Sequence, residues 1–466
     1  MGLVLRVMPL ALWPFDSCVR DECTYSRLAK RFAAGKGMTE SFDWLWAPGY
    51  PAFLGFHAWL TTEPAVGKIL QMAASLGAIV LVYLLAQRTF SRRPAWPGND
   101  AAGRRAARWA AWLYALSAHQ AFYAGRMWSE VLYGAILLGG LLLFGHARDA
   151  LSRRWGDLDP PLVADRRRAL TFAALVGLVV GVCVLFRGVA QYMLPIFVVG
   201  FLWGRVRQRV PWVQAALAVA VTVAVVAPYS AYATHKFGDF VLSDRTAGRM
   251  MWLGNNTFEP ITFDYGNGQL SSKAYSRTKK RGRDRCAPKG QVIALDACQM
   301  EEGVAWIKAN PEAFVRRMPM RVAQMLNPHS LLTRHLRWGK WKGMPQWLDE
   351  GLVLWQALGS MLVMWAGMIG LTVRGRGSQG LVIFGILLYH VAAISVLAGL
   401  SRYRVPLEPL LMVYAAGLLS DPRGTWREAR ESLLGWRVGA TVVVMALVVP
   451  LVLWYLPAGW PTWRTW

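Results

Sequence analysis

The sequence predicts an all-α, polytopic membrane protein, and three observations carry that prediction. Hydrophobic residues fill 55% of the 466 positions and charged residues only 17%, where a soluble chain averages about a quarter charged. Apolar runs near the roughly 20 residues that a bilayer-spanning helix needs recur along nearly the whole chain. The alternating ten-residue pattern of an outer-membrane barrel does not appear. With a mean hydropathy of +0.29, these observations exclude a soluble enzyme and a β-barrel. The formal charge of +25, from 52 Lys and Arg against 27 Asp and Glu, raises nucleic acid as a partner. Most of the Arg lies in short loops between apolar runs, where it orients helices, so no nucleic-acid partner is expected.

The first apolar run, 3–15, is short and interrupted by Arg6. It lacks a small-residue cleavage site, which argues against a signal peptide; a start assigned too far downstream would explain its length. Spanning helices are expected at about 66–87, 107–122, 129–146, 169–186, 189–204 and 211–229. After a long polar interval, four more are expected at 348–372, 380–399, 405–420 and 438–457, for about eleven in all. The chain then divides into an N-terminal transmembrane module (1–229) with a first outer loop at about 16–65, an extracytoplasmic cap (230–346) and C-terminal transmembrane helices (347–466). Loops 88–108, 146–168, 204–210 and 420–437 concentrate Arg and are assigned to the cytoplasm. Residues 16–65, 117–128, 230–346 and 400–404 face outward in consequence. Within the cap, Gln299–Ala323 has helical spacing, and Pro311 after Asn310 suits a helix start. The basic run from Lys279 to Arg285 reads as a solvated loop.

None of the five cysteines has metal-ligand spacing. Cys183 sits in an apolar run and is expected to be inert packing. The other four fall outside the membrane, where disulfides persist, so a Cys286–Cys298 bridge is expected and Cys18–Cys23 is left open.

One outer stretch carries candidate chemistry: Arg20-Asp21-Glu22-Cys23-Thr24-Tyr25, then Leu28-Ala29, Gly35-Lys36-Gly37 and Trp46-Ala47-Pro48-Gly49-Tyr50-Pro51. Adjacent carboxylates beside a bilayer are costly unless they face a polar cavity. Placed there, they can act as a general base or bind a cation, although an acidic pair on a solvated loop would look the same. Two other segments join it. Tyr123-Ala124-Gly125-Arg126-Met127-Trp128-Ser129-Glu130 enters a helix from the outer side, where Glu130 either faces a cavity or caps the helix. Ser401-Arg402-Tyr403-Arg404-Val405-Pro406 opens a later helix. Tyr192, His57, His329 and His390 show no pattern beyond that of structural residues near helix ends.

Together these segments resemble the GT-C membrane glycosyltransferases, in particular the bacterial branch similar to protein O-mannosyltransferases and lipid A aminoarabinose transferases. In that family an Asp, commonly followed by Glu, precedes a Tyr, a Leu-Ala helix, a Gly-x-Gly and a Pro-Gly-Tyr-Pro turn. The matches are Asp21, Glu22, Tyr25, Leu28, Ala29, Gly35, Gly37 and Pro48 to Pro51. Glu130 looks like the family's acidic residue at a helix start, and Arg402-Tyr403 like its Arg-Tyr-x-x-Pro segment. The resemblance runs from about residue 20 to 420 and omits the detail of 230–346.

What the resemblance implies is a GT-C-type bundle in a bacterial inner membrane, with an active site on the extracytoplasmic side. A sugar would pass with inversion from a polyprenyl-phosphate donor to a lipid, protein or glycan acceptor. Asp21 is the candidate base, with Glu22 and Glu130 as further catalytic carboxylates. Arg126, Arg187, Arg402 and Arg404 are candidates for the donor phosphate, since guanidinium offers paired donors in a fixed fork; Arg at helix ends also snorkels to lipid headgroups. Tyr25, Tyr50 and Tyr403 are candidate lining residues. Metal use varies across the family, which leaves open a divalent cation on Asp21, Glu22 and Glu130. Three rivals remain at this point, one of them a non-catalytic membrane scaffold that has kept the fold. An O-antigen ligase or polymerase usually relies on Arg and His in the large loop, and a lipid-linked sugar transporter or flippase should carry charges near the bilayer midplane.

Overall fold

The computed structural model describes residues 2–12, 21–37, 45–60, 64–91, 99–150, 163–257, 278, 280–286, 292–328, 332–333, 336 and 344–431. Helices α1 (Gly2–Leu12), α2 (Asp21–Ala33) and α3 (Gly49–Leu60) open the chain. They are followed by α4 (Pro64–Ser91), α5 (Asn99–Ala115), α6 (Ala118–Ala124), α7 (Ser129–Asp149) and α8 (Val163–Phe186). A 3-10 turn at Gly188–Tyr192 leads into α9 (Leu194–Leu202) and α10 (Arg209–Phe237). Next come α11 (Ala247–Gly254), α12 (Val292–Ala309) and α13 (Pro311–Leu326). The described chain ends with α14 (Gln346–Arg374), α15 (Gly377–Val396), a second 3-10 turn at Ser401–Arg404, α16 (Glu408–Ser420) and α17 (Pro422–Glu431). Among the described residues no strand forms, and the isolated bridge Leu45–Arg245 ties the segment before α3 to the segment after α10. The all-α expectation therefore holds.

Among the described residues, six helices are long and apolar enough to cross a bilayer: Val66–Ser91, Ser129–Asp149, Arg166–Phe186, Arg209–Phe237, Gln346–Arg374 and Gly377–Val396. Gly188–Leu202 and Glu408–Ser420 are shorter apolar helices. The expected span 107–122 is divided: α5 stops at Ala115, and Ser117, in extended backbone, accepts the Gln120 amide at 3.2 Å and starts α6. Apolarity runs through this break, so the hydropathy pattern hides it. The expected span 438–457 lies outside the described residues.

The helix α16 is apolar on all sides and buried from Glu408 to Gly417, as a helix at the centre of a bundle must be. It packs on α14, α5 and α4. A Cβ at Gly367 or Gly370 would collide with backbone of α16 at Leu411 or Tyr414, so glycine is what permits that close approach. Arg6, which interrupts the first apolar run, is fully buried. It donates to Ser75 Oγ at 2.8 Å and to the carbonyls of Ala115 and Tyr114 at 3.2 and 3.3 Å. The charged head of α1 thus finds partners on α4 and at the end of α5, which makes a buried Arg tolerable.

Above the bundle, the helical stretch read at Gln299–Ala323 belongs to two helices, α12 and α13, that meet at Asn310-Pro311 with Pro in the first turn of α13. Cys286 and Cys298 form a disulfide, the expected pairing. Cys183 is free and buried. Cys18 lies outside the described residues. Residues 280–286 are helical, and Arg285 pairs with Glu302 at 2.8 Å, so the basic run is more ordered than a solvated loop; Lys279 lies outside the described residues. Arg321 of α13 donates to the carbonyls of Ser395 and Val396 at 2.8 Å each and to Gly254 O at 2.7 Å. One guanidinium thereby fastens α13 to the C-terminal ends of α15 and α11.

Candidate active site

A cavity of about 530 Å³ opens where the C-terminal ends of α8 and α15 meet the N-terminal ends of α2 and α7 and the second 3-10 turn. Each charged group is delivered by a helix end. Asp21 opens α2, where a carboxylate also complements the helix dipole. Glu130 lies in the first turn of α7. Arg187 follows the last residue of α8, and Arg402 sits in the 3-10 turn before α16.

The four charges form one continuous chain. Arg402 Nη1 donates to Asp21 Oδ2 at 2.6 Å. Its Nε lies 3.8 Å from Glu130 Oε1, which also pairs with Arg187 Nη1 at 2.8 Å. Arg187 further donates to Ser129 Oγ at 3.2 Å. Both guanidinium groups rest against aromatic rings: Arg402 is 5.5 Å from the Trp128 and Tyr403 centroids, and Arg187 is 5.9 Å from those of Tyr133 and Tyr403, within cation–π range. Burial lowers the pKa of Arg402, but Asp21, Tyr403 and Glu130 more than offset it and hold the group well above its usual range. Arg187 is raised in the same way by Glu130 and Tyr25 against burial. The Tyr25 phenol is pushed up by burial and by Glu130, so it stays a neutral hydroxyl. The other wall is apolar, built from Val189, Ala393, Ile394, Val396, Leu397 and Pro406.

Of the residues singled out from sequence, Asp21, Tyr25, Glu130, Arg187, Arg402 and Tyr403 converge on this cavity. Four others do not line it. Glu22 and Arg126 are buried together as an ion pair at 3.1 Å, and Glu22 Oε1 also accepts the Met127 amide at 2.9 Å. Tyr50 is fully buried and donates to Gln71 Oε1 at 2.5 Å. Arg404 is buried with Glu408 at 2.7 Å and donates to the Met325 carbonyl at 3.0 Å and to that of Asn327. These four brace the site from behind. Among the described residues no three His, Cys, Asp or Glu side chains are grouped to hold a metal ion. The candidate set of Asp21, Glu22 and Glu130 does not form one, because Glu22 turns to Arg126 while Asp21 and Glu130 face arginines.

The cavity also contains residues that the sequence did not single out. Asp244, between α10 and α11, lines it with Thr246, Tyr389 and Trp128. Burial pushes the Asp244 carboxyl up to about 6, with Asp296 adding to the effect. Tyr192 and His390 line the cavity too, but His390 is buried and its Nδ1 is 2.8 Å from the Ile386 carbonyl of its own helix, a structural engagement. His329 and the His57 side chain lie outside the described residues.

The described helices share their fold with a solved membrane enzyme, and the expected GT-C-type bundle is supported by that likeness alone. No protein-family model matches the chain, and no curated protein matches it. Among solved structures, it is similar to the oligosaccharyltransferase of Archaeoglobus fulgidus tethered to an acceptor peptide, with 14% identity and a TM-score of 0.50. That likeness covers 98% of this chain and 54% of the archaeal one, so the chain spans about half its length. ArnT from Cupriavidus metallidurans is also similar, at 12% identity and TM-score 0.41 in the apo state and 13% and 0.43 bound to undecaprenyl phosphate. Both ArnT comparisons cover 90% of this chain, and 75% and 76% of ArnT respectively.

Proposed function

We propose that the chain is an inverting glycosyltransferase of a bacterial inner membrane, moving a sugar from a polyprenyl-phosphate donor to an acceptor on the outer face. The observation that carries this reading is the joining, in one cavity at helix ends, of the chain Asp21–Arg402–Glu130–Arg187 to an apolar wall. A polyprenyl-phosphate sugar has the same two-sided chemistry, an anion and sugar at one end and a lipid at the other. The acceptor hydroxyl attacks the anomeric carbon as the bond from that carbon to the phosphate oxygen breaks. The electron pair leaves with the polyprenyl phosphate, and the proton passes to Asp21. Arg402 and Arg187 hold the departing anion, where a fixed charge counts most because the phosphate oxygen gains charge in the transition state. Glu130 keeps the two guanidinium groups in place between turnovers.

Two tests follow from the geometry. Replacing Arg402 by Lys keeps the charge and loses the fork, so the affinity of the purified protein for undecaprenyl phosphate should fall about tenfold to a hundredfold. Arg404→Lys should leave that affinity unchanged and lower thermal stability, because Arg404 faces Glu408 and backbone carbonyls. Equal losses in both variants would remove Arg402 from the phosphate site. The outer location is tested with introduced cysteines, read against the labelling of the unmodified protein, in which Cys183, Cys286 and Cys298 are buried. Exposed Glu301→Cys should react with an impermeant maleimide in intact spheroplasts, and exposed Arg207→Cys only after permeabilisation. The reverse pattern would place the cavity on the cytoplasmic side.

A further inference from the structure

We propose that Asp244 binds the sugar ring of the donor, accepting hydrogen bonds from its hydroxyl groups. The inference rests on the glycosyltransferase reading and assigns the sugar end of the donor a residue of its own. Asp21 and Glu130 are paired with arginines, whereas among the described residues no cation sits within ion-pair distance of Asp244. Its carboxylate is nonetheless fixed in place. The Thr246 hydroxyl donates to Oδ2 at 3.2 Å, and the carboxylate lies against the backbone at Gly188. A carboxylate has about four acceptor positions, so positions remain for a ligand beside the one that Thr246 fills.

The placement of Asp244 also suits a sugar joined to a phosphate. Gly188 follows Arg187 directly, so the backbone that seats Asp244 also carries one of the two cations proposed for the phosphate. A Cβ at Gly188 would overlap both carboxylate oxygens, which shows how closely Asp244 lies on that turn. In a glycosyl phosphate the ring is joined to the phosphate through a single oxygen, so a group that reads the ring must lie beside the group that holds the anion. Tyr192 and Tyr389, with ring centroids 6.2 Å apart, supply apolar faces in the same cavity. The charged and titratable groups facing Asp244 are Arg187, Asp296 from α12, Tyr229 from α10 and Tyr389 from α15. Burial dominates over them and pushes the carboxyl up to about 6. It therefore accepts hydrogen bonds most strongly above that pH and loses this capacity as pH falls through it.

The test measures binding to the purified full chain in detergent. The probes are bare undecaprenyl phosphate and a panel of glucosyl, galactosyl, mannosyl and arabinosyl undecaprenyl phosphates. At least one glycosylated probe should bind the unmodified protein more tightly than the bare lipid. Asp244→Asn, nearly isosteric, should remove about tenfold to a hundredfold of that sugar-dependent gain while the bare lipid binds as before. Retained binding of the bare lipid certifies the fold of the variant. The affinity for the glycosylated probe, a phosphodiester with one charge throughout this range, should fall from pH 8 to pH 5 in the unmodified protein, and in Asp244→Asn it should not. A gain that survives in Asp244→Asn, or no gain for any glycosylated probe in the unmodified protein, overturns the assignment. Failure of the bare lipid to bind the unmodified protein instead overturns the polyprenyl-phosphate reading beneath it.

Discussion

Asp21→Asn is expected to lower sugar transfer by about two to four orders of magnitude, the usual cost of losing a general base. The amide is close to isosteric but cannot take the acceptor's proton. Asp21 also pairs with Arg402 at 2.6 Å, the guanidinium proposed above for the donor phosphate. Undecaprenyl phosphate should accordingly bind the variant at least as well as it binds the unmodified protein. The pairing of lost turnover with kept or improved donor affinity separates a base from a residue that merely holds the site together. Transfer is measured as restoration of the envelope glycan lost when the gene is deleted, and affinity on purified protein. Near-normal transfer by Asp21→Asn would end the base assignment, and a dead Glu130→Gln beside it would move the role to Glu130.

Glu22→Ala is expected to act on stability, not on turnover per folded molecule. Glu22 is fully buried against Arg126, itself only 2% exposed, and also accepts the Met127 amide. Removing one partner of a buried ion pair typically costs about 3–5 kcal/mol. That is a large share of the few kcal/mol by which most proteins are stable. Glu22→Gln keeps an acceptor for the Met127 amide and should be the milder of the two. Thermal unfolding in detergent measures both. A Glu22→Ala protein that melts normally but transfers no sugar would place Glu22 in the chemistry instead.

The contrast between Asp21 and Glu22 marks how far the sequence could be read. The acidic pair and its following Tyr25 were legible as a unit, but successive residues in an α-helix point about 100° apart. One therefore faces the cavity and the other the core. In the second 3-10 turn, with three residues per turn, Arg402 and Arg404 point in different directions for the same reason. Spacing alone gives both arginines equal claims, and only the packing of α13 and α14 around Arg404 separates them. The bundle itself was legible because hydropathy tracks the bilayer, except where Ser117 divides an apolar run into α5 and α6. Asp244 had no such signal. It sits in the short irregular segment Leu242-Ser243-Asp244-Arg245 between α10 and α11, and reaches the cavity because that segment lies against Gly188.

The most direct measurement of the central claim is an experimental structure of the purified protein with undecaprenyl phosphate bound. The phosphate should lie in this cavity within ion-pair distance of both Arg402 and Arg187, with the lipid against the wall formed by Ala393, Val396 and Leu397 and the contact between Arg402 and Asp21 lengthened or broken. A phosphate held elsewhere, or one seated in the cavity without either arginine, would contradict it.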